Sequence, residues 1–368
     1  MHVPFCIHRC GYCDFTVIAG RDDLIPDYLR CLEQELQTKL GVPHPVETLF
    51  IGGGTPSHLP CADLQRLLDL LQNWLPLAPG GEFSVECNPD GLTDERIDVL
   101  RRHGVNRVSL GVQSFDTGEL SVLERRHTPE EVAERVRQLR ETGISSISLD
   151  LIFAVPGQSL VQWERTLQAA LSLSPDHLST YGLTYERGTA FWSRRRMQTL
   201  IPVPESVERE MYALAMTLLP EQGYEQYELS NFAAPGFRCR HNQVYWQAQP
   251  YWGFGPGAAE FVMGERRLNH RAVTTWLERV RTGQSPVQEC ETIDADLAAR
   301  EAVMLGLRQI EGLSLGEFAG RHGHTVRDLS PESYDRFLRQ GFLMVSDGQL
   351  RLTWEGRFLA DSVVAEFL

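Results

Sequence analysis

The sequence lacks any apolar run approaching the length of a membrane span, and no signal peptide precedes its first cysteine, Cys6. It also lacks an excess of basic charge: 49 acidic residues outnumber 35 basic ones, for a net charge of −14. That balance argues against a broad nucleic-acid footprint. Its eight cysteines lack disulfide-like spacing, which predicts a chain kept reduced in the cytoplasm. Internal repeats and low-complexity tracts are absent too. What is present is an ordinary globular composition, 42% hydrophobic and 23% charged over 368 residues. That length suits one large domain and a smaller one.

Three of the cysteines are grouped. Cys6, Cys10 and Cys13 follow the spacing Cys-x3-Cys-x2-Cys. A zinc knuckle usually pairs Cys-x2-Cys with a second such pair, and this sequence has none. Three thiolates can instead hold three irons of a [4Fe–4S] cubane, leaving the fourth open to a small molecule. Such a cluster is chemically active and oxygen-sensitive, in keeping with a reducing compartment. Cys31, Cys61, Cys87, Cys239 and Cys290 read as packed or incidental thiols.

Up to about Tyr185 the chain alternates short β-rich runs with amphipathic ones. Strands are predicted over 47–51, 82–87, 107–112, 144–153 and 177–183. Helices are predicted over 24–40, 62–75, 93–103, 129–142 and 160–172, with Thr93 and Thr128 as N-caps and Pro129 at a first helical position. Repeated βα units predict an α/β fold whose parallel sheet closes wholly or partly into a barrel. Past Tyr185 the alternation fades, and 225–261 is rich in loops, aromatics and glycine. From about Ala295 the pattern is helical and ends in a hairpin turned at Asp347-Gly348, a winged-helix-like combination. The expected divisions are 1–230, 231–290 and 291–368.

Gly52-Gly53-Gly54-Thr55-Pro56 follows the strand ending at Ile51. Glycines there let the backbone approach a ligand and present N–H and carbonyl groups to it. Glu86-Cys87-Asn88-Pro89, the run Ser109 to Asp116, Arg125 to His127 and Asp150 to Gly157 also fall at or near predicted strand ends, where barrels bind substrate. With the cysteine triad and Tyr12 before its last member, this ordered set resembles the radical S-adenosylmethionine (SAM) superfamily. Within it, the set resembles the branch holding the oxygen-independent coproporphyrinogen III dehydrogenase and the HemW-type haem chaperones. The resemblance implies a partial (β/α)6 barrel, a cluster on Cys6, Cys10 and Cys13, and SAM held around Tyr12, Gly53, Gly54, Thr55, Glu86, Gln113, Arg125 and Asp150. Arg125 suits a SAM carboxylate, and Asp150 or Glu86 suits ribose hydroxyls or an ammonium.

His241-Asn242-Gln243-Val244-Tyr245-Trp246 resembles the HNxxYW motif of the chaperones. The resemblance makes His241 a candidate haem ligand, with Cys239 a second conceivable one. Read from the residues alone, His241 is a hydrogen-bonded loop histidine beside core aromatics. The run Tyr251 to Ala258 reads equally as an opening for a flat ligand or a packed glycine turn. Where the dehydrogenase has a further cysteine this chain has Phe15, and only five residues precede Cys6. The start is short even for a chaperone, so a truncated first strand or a misassigned start is expected. Glu124 and Ala154 stand where the family usually has glycine. The reading is a haem chaperone carrying a [4Fe–4S] cluster and SAM, handing haem to apo-haemoproteins such as respiratory enzymes. A homodimer and peripheral attachment to a membrane are further expectations. The rival is a radical SAM enzyme in which the reduced cluster cleaves SAM and the resulting 5′-deoxyadenosyl radical takes hydrogen from a porphyrinogen. Phe15 and the short start speak against coproporphyrinogen dehydrogenation.

Overall fold

In the computed structural model, which describes residues 1–368, six parallel strands run side by side: His2–Val3, Val46–Gly53, Leu77–Cys87, Arg107–Gln113, Ser146–Phe153 and His177–Gly182. Two short antiparallel strands, Asn231–Ala233 and Glu225–Gln226, extend the far edge, so the sheet is open and the barrel partial. Helices Ile25–Leu40, Cys61–Trp74, Asp94–Arg102, Pro129–Glu141 and Leu160–Ser172 occupy the crossovers. Thr93 caps the third, and Thr128 forms a capping box ahead of Pro129 on the fourth.

Alternation along each strand sorts the two faces. Leu49 and Ile51, Phe83 and Val85, Val108 and Leu110, and Ile147, Leu149 and Leu151 join helix residues such as Leu32, Leu68 and Trp163 in the main core. The intervening residues are mostly polar, Thr48, Glu82, Ser84, Glu86, Ser109, Ser148, Asp150, His177 and Ser179, with Phe50 an aromatic exception. A barrel interior is ordinarily filled by branched apolar side chains. A polar interior reserves this one for hydrogen bonding.

Three elements go beyond the sequence reading. Helix Glu205–Glu221 lies in the stretch where alternation fades. It starts after Pro204 without a side-chain cap, holds Pro220 within its last turn and buries only Met211, Ala215, Met216 and Leu219. A three-stranded antiparallel sheet, Ala259–Val262, Glu265–Asn269 and Val287–Thr292, is charged and largely solvent-facing, so it shows no apolar alternation. The loop-rich stretch also contains a helix, Arg240–Trp246. Residues from Ala295 onward form helices and a small sheet of Leu313–Ser314, Gln349–Leu352 and Leu343–Ser346. That region has its own core, including Val303, Phe318, Phe337, Leu350 and Phe367. No helix is long and apolar enough to cross a membrane.

Candidate cluster and cofactor site

All eight cysteines are free thiols. Cys6 ends the short strand Phe5–Cys6, which pairs with Ile18–Ala19, and Cys10 and Cys13 lie on the loop between these strands; all three are half-buried. Burial raises the thiol of Cys6 to about 11, and nearby Cys13 and Cys10 add to the rise. Cys13 is raised as well, by burial and then by Cys10. Thiols that repel one another as thiolates lie together and need a cation between them to ionise at neutral pH. No group of side chains here is arranged for a single metal ion. A cubane spreads its thiolate ligands over separate irons, so the donor set fits a [4Fe–4S] cluster and not a mononuclear site.

The cluster loop is held from three sides. Tyr12 packs edge-on against Phe191, with ring centroids 6.0 Å apart, in a small apolar cluster with Leu123, Val155 and Leu183. Gly11 leaves no room for a side chain beside Phe191 and Glu124. The Glu124 carboxylate accepts from the Gly11 amide at 2.9 Å, lies 3.0 Å from His8 Nε2, and pairs with Arg194 at 3.0 Å. Glu124 adopts a positive φ of 57°, and Ala154 one of 61°. Both adopt a left-handed backbone ordinarily left to glycine. None of these Glu124 contacts is visible in the sequence, because His8, Gly11 and Arg194 lie far from it along the chain.

From the cysteines a continuous chain of contacts reaches the predicted SAM residues. Cys6 Sγ lies 3.2 Å from Thr55 Oγ1, which accepts from Asn88 Nδ2 at 2.9 Å. Asn88 Oδ1 accepts from Arg125 at 2.6 Å, and the same guanidinium nitrogen donates to the Gly111 carbonyl at 2.7 Å. These bonds use one terminal nitrogen of Arg125 and leave the rest of the fork for an anion. Asn88, outside the expected SAM residues, is therefore the link between the glycine loop and Arg125. Its position at the end of strand Leu77–Cys87 was the available signal. Gln113 sits at a register shift with φ 67°, its amide beside Gly111. Gly53 has φ 109° and a Cβ there would strike the His2 ring; a Cβ on Gly54 would strike the Phe5 carbonyl.

Two carboxyls face this space. Glu86 Oε2 accepts from the Gly53 amide at 3.0 Å, and burial, then the charge of Asp150, raises its carboxyl to about 7. Asp150 is raised by burial while hydrogen bonds from Ser179 and Ser109 oppose the shift, the Ser109 hydroxyl at 2.9 Å. The arrangement offers a cationic or hydroxylic ligand two acceptors and an anionic ligand one guanidinium.

His241 is not among the cysteines. Its ring stacks on Phe50 at 5.2 Å and 17°, Nδ1 lies 2.8 Å from Thr48 Oγ1, and Nε2 lies 2.9 Å from the Tyr245 hydroxyl. Burial lowers its pKa to about 3, so the ring is neutral. The expectation of an imidazole nitrogen available to haem iron does not match this arrangement, because both nitrogens are engaged. Iron could take one only if Thr48 or Tyr245 let go. Cys239 is buried with its thiol raised to about 12 by burial, 3.5 Å from Glu82, and presents no open ligand. The 251–258 run is a packed glycine turn: the Gly255 amide donates to buried Glu35 at 2.9 Å, and a Cβ on Gly253 or Gly255 would collide with backbone.

Residues 1–170 match the Radical SAM superfamily, and residues 293–359 match the HemN C-terminal domain. The chain is 36% identical, over its full length and 98% of the relative, to heme chaperone HemW of Bacillus subtilis (strain 168). It is 33% identical, over its full length and 97% of the relative, to heme chaperone HemW of Escherichia coli (strain K12). The mitochondrial radical S-adenosyl methionine domain-containing protein 1 of Danio rerio is 31% identical over the whole chain and 86% of its own length. Among solved structures, the radical SAM enzyme coproporphyrinogen III oxidase (HemN) from Escherichia coli superposes with a TM-score of 0.88 at 24% identity, covering 100% of this chain and 88% of that one.

Proposed function

Since this chain belongs to the HemW family of the radical SAM superfamily, we propose that it binds haem and passes it to apo-haemoproteins, with a [4Fe–4S] cluster and SAM bound at the open face of the barrel. The cluster would sit on Cys6, Cys10 and Cys13. SAM would lie against Gly53, Gly54 and Thr55, its amino group toward Glu86, its carboxylate on Arg125, and its ribose toward Asp150, with Tyr12 and Gln113 closing the pocket. Cys6, Cys10 and Cys13 would hold the cluster, which would supply one-electron reducing chemistry beside the SAM pocket. The protein's own residues orient the ligand and limit water around it. The observation that carries the cofactor part is the unbroken contact chain from Cys6 through Thr55 and Asn88 to Arg125. The haem part is supported by similarity running the length of the chain. Free thiols throughout suit a reducing cytoplasm.

Anaerobic reconstitution followed by haem titration tests the proposal. The reconstituted protein should show the cluster absorbance, a SAM-dependent change in the reduced cluster's electron paramagnetic resonance (EPR) signal, and a saturable Soret band. The loaded form should convert an apo-haemoprotein to its haem form. Multiple turnovers of coproporphyrinogen III to protoporphyrinogen IX would replace the chaperone reading with the enzyme one.

A further inference from the structure

Next to the cluster loop an open cleft of about 600 Å³ is lined by Arg9, Phe15, Thr16, Arg187 and Arg271, with Asp14 and Glu186 also on its wall. Its size falls in the range of small-molecule sites. Its arginines differ from most in the molecule, which pair with carboxylates, as Arg137 does with Glu134 and Glu141. Arg9 has only long contacts to the Cys13 carbonyl, at 3.4 Å. Arg271 donates to the Asp14 carbonyl at 2.6 Å and to Thr16 Oγ1 at 3.2 Å, but to no carboxylate. Arg187 makes no hydrogen bond or ion pair at all. Asp14 and Glu186 stand on the same wall without pairing with any of the three. Beside these guanidiniums the Phe15 ring is 58% exposed.

Unpaired guanidiniums around an exposed aromatic ring match a ligand that is flat and apolar in the middle and carboxylated at one edge. Resting on the reading that the chain binds haem, we propose that this cleft receives the haem carboxylates: Arg187 and Arg9 hold the propionates, and Phe15 covers part of the macrocycle. Arg271 fixes the Asp14–Thr16 backbone that carries the ring. The position gives Phe15 a role of its own, at the place where the dehydrogenase carries a further cysteine. It also accounts for a haem site that does not require His241 to abandon Thr48 or Tyr245.

The test is anaerobic titration of the cluster-loaded protein with haem and, separately, with haem dimethyl ester, whose propionates carry no charge. Arg187→Glu is the informative variant, because the native side chain holds nothing in place and its loss leaves the fold intact. Arg339→Glu, on an exposed helix of the C-terminal region, controls for net charge. The proposal expects haem to bind about tenfold or more weakly to Arg187→Glu, with cluster absorbance unchanged and Arg339→Glu like the parent. Phe15→Ser should weaken haem and its ester alike, whereas Arg187→Glu should leave the ester's affinity unchanged. Equal haem affinity in Arg187→Glu and parent, or ester binding as tight as haem, overturns the cleft assignment while leaving the chaperone reading standing. A parent protein that binds no haem overturns both.

Discussion

The cysteine loop and the His241 helix carry similarly reactive side chains, and the fold treats them oppositely. Around Cys6, Cys10 and Cys13 the scaffold fixes the backbone and leaves the reactive atoms free. Glu124 holds the Gly11 amide, Tyr12 is anchored on Phe191, and the closest thiol contact to a side chain is that of Cys6 with Thr55, Cys10 lying farther from the Glu124 carbonyl. At His241 the reactive atoms themselves are the structural contacts, with both ring nitrogens bonded and the face stacked on Phe50. A side chain whose polar atoms are all satisfied is part of the scaffold until something displaces a partner. The difference separates a ligand site from its support, and His241 supports the strand that ends in the Gly52–Thr55 loop.

The largest effect that bears on this contrast is all-or-none. Cys6→Ala, Cys10→Ala or Cys13→Ala should each abolish the [4Fe–4S] absorbance after reconstitution, because no other thiol is placed to substitute. Cys31→Ala, Cys61→Ala and Cys290→Ala should keep it. Full iron content in Cys10→Ala would remove the basis of the comparison.

His241→Ala comes next. It removes two hydrogen bonds and a stacked ring, and strands the Thr48 and Tyr245 hydroxyls, for a loss of about 2–3 kcal/mol in a denaturant melt. SAM binding should weaken, since Phe50 borders Gly52, while the Soret band of bound haem should stay in place. A shifted Soret band in His241→Ala would show that haem does displace Thr48 or Tyr245, and that the helix is a ligand site after all.

A smaller, graded effect should come from Glu86. With its carboxyl near 7 in the folded protein, it accepts from SAM's amino group only when ionised. SAM affinity should therefore rise with pH, by about tenfold between pH 6 and 8, over and above any titration of SAM itself. Glu86→Gln should remove that increment. Stability runs the other way: the folded state holds this proton more tightly than the unfolded chain, whose carboxyl titrates near 4.5. The contribution is therefore complete below about 4.5 and lost as pH rises through 7. His241, lowered from 6.5 to about 3, opposes this slope: between those values only the unfolded chain binds the proton, so its contribution to stability grows as pH rises to about 6.5.

How much of this was legible in the sequence follows the same division. The helix over 160–172 matches residue for residue, and the capped helices and the alternating strands match within a few residues, because their signals are local. The charged sheet at 259–292 and the helix at 205–221 are fixed by tertiary contacts their own sequences do not advertise. Motif residues at strand ends converge as their order implies. Tyr245, which meets Nε2, is one helical turn from His241, but the partner of Nδ1 is Thr48, 193 residues away, and no spacing rule reports that.

The smallest expected change concerns the two residues that keep a glycine's backbone. A non-glycine residue in the left-handed region carries a cost of about 1 kcal/mol, which Glu124→Gly or Ala154→Gly would relieve. Glycine's greater freedom in the unfolded chain offsets a comparable amount, so Ala154→Gly should melt within about 1 kcal/mol of the parent, and Glu124→Gly lower by the contacts its carboxylate makes with Gly11, His8 and Arg194. They should part company at the cluster. Ala154→Gly removes a methyl group and no hydrogen bond, so the rate of cluster bleaching in air should not change. Glu124→Gly releases the Gly11 amide, His8 and Arg194 together, so bleaching should quicken severalfold, with Glu124→Gln in between because the amide oxygen still accepts from Gly11. Identical bleaching in all three would mean that the cysteine loop is held by Tyr12 and Phe191 alone, and that Glu124 has no part in presenting the thiols.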